Sequence, residues 1–213
     1  MTLQQSDSAD HAAVPAAFDL TQKQQSELLR LARAAIECYL ETGQMLAATT
    51  SDPGLRRRSG VFVTLRTRSN LSDLDCEGLI LPAEGHLKGC VGHVDPDFPL
   101  YAMVQEMAVK AATRDPRFAP MILPELDDIQ IEISVMSPLE TVEELDDIEV
   151  GTHGLLIDQA GRRGVLLPKV PVSRDWTRGE FLQNLCLKAG LPLSAWQELR
   201  ALRKFTTISF SEP

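Results

Sequence analysis

The chain has 213 residues, 44% of them apolar and 24% charged, enough for one good core or for one domain carrying a smaller lobe. Its 21 basic and 30 acidic residues leave a net charge of −9, a surface that repels phosphate backbones and argues against a nucleic-acid partner. No apolar run approaches the ~20 residues of a membrane helix, and the polar, alanine-rich start MTLQQSDSADHAAVPAAFDL lacks the basic and apolar regions of a secretory signal. These features predict a cytoplasmic protein without membrane association, with a mobile tail over residues 1–19 and one domain over 20–213.

In chain order, the first helix opens at Thr21, where TQKQ offers a capping box with Gln24. Leu28, Ala32, Ala35, Ile36 and Leu40 then recur at helical spacing up to Gly43, a suitable stop. GVFVTLR alternates as a strand, with Val61, Val63 and Leu65 on one face. Residues 68–85 read as a long polar connection, and His86–Val91 as a short strand. Pro99 suits the first turn of a second helix, whose apolar face runs through Met103, Val104, Met107, Ala108 and Ala111; Pro116 ends it by Asp115. Ile129–Met136 alternates cleanly, so one of its faces is polar. HGLLID and GVLLP flank QAGRR as a hairpin. A third helix begins near Thr177 with another capping box, TRGE, and ends at Gly190, and KFTTISF closes the chain as a final strand. Without a regular strand–helix–strand rhythm, the pattern predicts an α+β fold, a mainly antiparallel sheet with flanking helices.

Chemistry concentrates in HLKGCVGHV, His86–Val94. Of four cysteines, Cys38 and Cys186 sit in helical apolar patterns and behave as small hydrophobes, while Cys76 lies among carboxylates that blunt its reactivity. Cys90 stands apart, between Gly89 and Val91, with Lys88 and Gly92 close by. On a strand Lys88 and Cys90 share a face. Gly89 and Gly92 permit close approach and a backbone whose N–H groups cradle an anion. His153, in GTHG, is a candidate general base, and Arg114, Asp115 and Arg117 of RDPRF are candidate ligand-binding groups. No metal is expected: His86 and Cys90 lie ~13 Å apart on a straight strand, too far to share one ion. A purely structural reading stays open beside this one. In it the glycines let a helix cross the sheet closely and Cys90 is a compact apolar filler.

The phrases HLKGCVG, AATRDPRFAP, IQIEISVMSPLE, GTHGLLID and GVLLPKV, followed by FLQNLCLKAGL, occur in an order that resembles the AMMECR-type domain, called AmmeMemoRadiSam system protein A in prokaryotes. The resemblance covers about Thr21–Phe210. Where the family's signature carries arginine, this chain has Lys88, which keeps the charge and loses the planar fork. The resemblance implies a two-lobed α+β fold, one domain of a larger and a smaller lobe, and company with a Memo-like, extradiol-dioxygenase-like protein and a radical SAM protein. It implies no particular reaction or cofactor. Two readings follow. In the first the protein is an accessory or co-catalytic partner of those proteins through a glycine-lined pocket at Cys90. In the second it is a stand-alone enzyme with Cys90 as nucleophile and His153 as base, acting on a small acidic or acyl substrate.

Overall fold

The computed structural model describes residues 18–68 and 86–213; Cys76, most of the polar connection and most of the N-terminal tail lie outside the described residues. Helix α1, Gln22–Thr42, starts as its sequence dictates. Thr21 Oγ1 accepts the N–H of Gln24, and Gln24 Oε1 accepts the N–H of Thr21. It ends where Gly43 takes the left-handed φ of 71°. A single turn, α2 (Pro53–Arg56), leads into strand β1 (Val61–Thr67), which pairs antiparallel with β2 (Leu87–His93). Helix α3, Leu100–Thr113, follows directly after Pro99 and stops before Pro116. Strand β3, Ile129–Met136, pairs with β1 on its other side.

Here the chain leaves the first sheet. A two-residue strand β4 (Glu140–Thr141), the hairpin β5 (Gly154–Gln159) and β6 (Arg162–Leu166), the short helix α4 (Lys169–Ser173), helix α5 (Arg178–Lys188) and strand β7 (Leu202–Phe205) build a second sheet of order β4-β7-β5-β6. The β5–β6 turn is Ala160–Gly161, both left-handed at φ 52° and 74°, the tight geometry a two-residue hairpin needs. Strand β8, Thr207–Ser211, then returns to β3, closing the first sheet in the order β2-β1-β3-β8. Both sheets are antiparallel and helices flank them, so the architecture is α+β.

The closing segment KFTTISF is therefore two strands in two sheets, not one. The break is at Thr206, and it is stitched to the outgoing chain: Ser137 N–H donates to Thr206 O, and Thr206 N–H donates to Ser137 Oγ, both at 2.9 Å. The smaller lobe, residues 140–205, is thus inserted between β3 and β8 on two adjacent, hydrogen-bonded connections.

Alternation decides what covers each face. Val61, Val63, Leu65, Ile129, Ile131, Ile133 and Val135 turn toward α1 and α3 and form the main core. Leu155, Ile157 and Leu166 face α5 in a second core with Phe181, Leu182 and Leu185. Between the sheets, Phe62 and Met136 of the larger lobe meet Leu156, Val165, Leu167 and Phe205 of the smaller. The polar face of β3 is accordingly covered in part by the second lobe. Phe18 packs against the main core with Arg57 over its ring at 4.9 Å, and Leu20 is buried, so these two residues belong to the packing of the larger lobe. Each arginine of the RRR run is spent on a main-chain carbonyl: Arg56 on Thr50, Arg57 on Asp19 and Arg58 on Asp97. No helix among the described residues is long and apolar enough to cross a membrane.

Candidate functional site

Cys90 occupies the middle of β2, an edge strand, on the face turned toward the second lobe. Directly opposite on β1 is Thr64, buried, whose Oγ1 donates to Cys90 Sγ at 3.3 Å. The same cross-sheet row continues to Glu132 on β3, which pairs with Lys169 of α4 and so ties the lobes together.

An edge strand leaves backbone groups pointing outward without a partner. At Cys90 the RDPRF turn supplies one. Because α3 must end before Pro116, the chain reverses there and the Asp115 carboxylate, 3% exposed, reaches back to β2. Asp115 Oδ2 accepts the Cys90 N–H at 2.8 Å, and Arg117 Nη2 donates to the Cys90 carbonyl at 3.2 Å. Arg117 also grips Asp115 in two parallel bonds, Nε to Oδ1 at 2.9 Å and Nη2 to Oδ2 at 2.6 Å. The Arg117 guanidinium, with the two backbone N–H groups assisting against the cost of burial, holds the Asp115 carboxyl down at about 2.

A second basic group comes from the other lobe. Lys188, the last residue of α5, is close enough to Cys90 and Arg117 for their charges to act on it. Its side chain keeps exposed surface, yet protein crowds it, and this desolvation lowers its pKa; Cys90 opposes the shift and Arg117 adds to it. Helix α5 comes this near because Gly164 of β6 lets it pack tightly: a Cβ there would lie 2.9 Å from Leu185 O and from Ala189 Cβ. Thr64 and Arg117 thus touch Cys90 directly, from a strand and a loop, and Lys188 acts on the pair by charge from the end of a helix in the other lobe.

Several expected members are placed elsewhere or differently. Lys88 does not share the face of Cys90, because the β1–β2 register shifts between Leu65 and Arg66 and this irregularity breaks the alternation; its ammonium pairs with Glu125 at 3.4 Å. Gly89 is a packing glycine: a Cβ there would stand 2.0 Å from the carbonyl oxygen of Ala111 on α3. Gly92 lies beneath the Phe62 ring, which a Cβ would meet at 2.1 Å. Neither has a left-handed φ, and the Cys90 N–H is committed to Asp115, so no backbone cradle for an anion forms at Cys90. Arg114 caps the C-terminus of α3 and turns to the far side, lining a groove between α1 and α3. His153 sits in the turn before β5, where its Nδ1 accepts the Glu149 N–H at 3.0 Å; among the described residues no hydrogen bond joins it to Cys90. His93 pairs with Asp97 at 3.0 Å, and no group of three potential metal ligands converges among the described residues.

Thr64 and Lys188 are the members that sequence reasoning missed. Thr64 was readable as a polar position on the far face of GVFVTLR. Lys188, 98 positions from Cys90 in the chain, left no local signal.

The sequence model of the AMMECR1 family matches residues 29–210. A protein of Methanopyrus kandleri is 39% identical over 184 residues, covering 83% of this chain and 82% of its own length. A Pyrococcus horikoshii protein is 39% identical over 192 residues, covering 87% of this chain and 88% of its own. The crystal structure of an uncharacterized protein from Pyrococcus horikoshii superposes with a TM-score of 0.75 at 37% identity, covering 87% of this chain and 90% of that one.

Proposed function

The chain belongs to the AMMECR1 family, and on that premise we propose that the interlobe cleft is a thiol site in which Cys90 acts on a small anionic acyl substrate. The observation that carries this reading is that a hydroxyl donor, Thr64, and a guanidinium, Arg117, touch Cys90 while a second basic group, Lys188, acts on it by charge from the other lobe. Lysine with a lowered pKa is suited to accept a proton. In this reading Cys90 passes its proton to Lys188, leaving a thiolate–ammonium pair, and Thr64 Oγ1–H and Arg117 hold the charge on sulfur. The thiolate then attacks the carbonyl carbon of the substrate, forming a thioester, and the leaving group departs with the proton from Lys188. Water hydrolyses the thioester and restores the thiol. Lys188 here takes the part that the sequence assigns to His153.

Partnership with a Memo-like protein and a radical SAM protein stands beside this as a second reading. Leu187 and Leu193, 60% and 49% exposed, flank the end of α5 and give it an apolar surface on which another protein would seat. Limited alkylation with iodoacetamide near neutral pH, read by mass spectrometry, tests the thiol site. Cys90 should label well ahead of Cys38 and of buried Cys186, whose thiol burial pushes up, and Lys188→Met should slow Cys90 severalfold. Labelling of Cys90 no faster than Cys38 sinks the reading.

A further inference from the structure

We propose that the groove between α1, residues 44–50 and α3 is a second binding site, for a small molecule that combines an apolar ring, one N–H or O–H donor and a carboxylate. The groove encloses a cavity of about 390 Å³, a size suited to one small ligand. Its walls include Tyr39, Met45, Leu46, Tyr101 and Val109. Met45 is 47% exposed, an adaptable apolar lip on an otherwise folded segment.

The cavity is also lined by Gln105, which is only 3% exposed. Its Nε2 donates to Tyr101 O at 3.0 Å within the same helix. That leaves Oε1, buried and without any hydrogen-bond partner. A buried amide oxygen carries its full desolvation cost until a donor reaches it. Oε1 itself has almost no accessible surface, so a donor meets it only as the Gln105 side chain turns toward the cavity, and the group that would satisfy it is a single donor set in an apolar body. At the rim, Lys110 is already paired with Glu106 at 2.7 Å. Arg114 lines the same groove and makes no side-chain hydrogen bond or ion pair among the described residues, so it supplies the charge for an acid group. This assigns to Arg114 a role apart from Cys90, on the opposite face of the larger lobe.

Indole-3-propionate has the required ring, donor and carboxylate, and its 1-methyl derivative lacks only the donor. Binding of each to the full chain, followed through the methyl resonance of Met45, decides the proposal. Indole-3-propionate should saturate with a Kd of about 1 mM or tighter, and methylation should weaken it about tenfold, the factor expected for one buried hydrogen bond. Gln105→Met should erase the difference between the two probes, and Arg114→Ala should weaken both. Failure to saturate below about 10 mM overturns the site. Equal binding of the two probes to the unaltered chain means that a buried water satisfies Gln105, and overturns the proposed ligand class. A difference that persists in Gln105→Met overturns the assigned acceptor. The probe pair needs no variant, so a Gln105→Met chain that fails to fold leaves the first two outcomes decisive.

Discussion

Asp115 fixes Cys90 from outside the sheet, and its own titration makes that contribution measurable. Its carboxyl is lowered from 3.8 to about 2 in the fold. A depressed carboxyl contributes stability that is present above its unfolded value and is lost as pH falls through its folded value, here between about pH 4 and 2; the shift corresponds to about 2 kcal/mol. Asp115→Asn should therefore lower unfolding stability by about 2 kcal/mol at pH 7 and flatten the acid limb. Urea unfolding at pH 7 and pH 3 checks this, and an acid limb identical to that of the unaltered chain would show that the carboxylate is not held as described. At this scale RDPRF was only partly legible. Proline after Asp115 announces the end of a helix, and the cluster of charges announces chemistry. Which of Arg114, Asp115 and Arg117 turns toward Cys90 depends on the direction of the chain as it leaves α3, and spacing does not encode that. Arg114, one residue too early, faces the other side of the lobe.

Strands and helices with local signals were readable: both capping boxes, the Gly43 stop and the β5–β6 turn occur where the residues ask for them. What alternation does not say is which strand lies alongside. KFTTISF carries one continuous strand pattern, yet Phe205 belongs to the second sheet and Thr207 to the first. The irregularity that sends Lys88 to Glu125 is equally silent in sequence, because it arises from the pairing with β1. The stitched pair at the crossing has its own consequence. Ser137→Ala removes the acceptor of the Thr206 N–H while leaving the reciprocal bond, and should cost about 1 kcal/mol with faster amide exchange at Thr206. Unchanged exchange at Thr206 would mean that this bond does not hold the crossing.

At the scale of the whole molecule, the two lobes are joined, among the described residues, by an apolar seam and by two ion pairs. The seam runs from Phe62 and Met136 to Val165 and Phe205. Arg163 binds Asp95 bidentately at 2.5 and 2.8 Å, and Lys169 binds Glu132. This arrangement brings the end of α5, at Lys188, within reach of the charges of Cys90 and Arg117 in the other lobe. The proposed thiol site would gather Arg117 and Lys188 near Cys90 in a chain of net charge −9, a local inversion of the overall field that composition does not show. The α+β class and the presence of two lobes followed from element order and resemblance, whereas the partners of Cys90 required the insertion of one lobe between two strands of the other. The most direct test of that site compares alkylation of Cys90 by iodoacetate and by iodoacetamide, reagents of similar size that differ in charge. Both attack the same thiolate, so the ratio of their rates reports the surrounding charge and not the extent of ionisation. At low ionic strength the iodoacetate-to-iodoacetamide ratio should be severalfold higher at Cys90 than at Cys38, should fall in Lys188→Met, and should shrink as salt screens the cleft. A ratio at Cys90 equal to that at Cys38, or one that Lys188→Met leaves unchanged, would contradict the account.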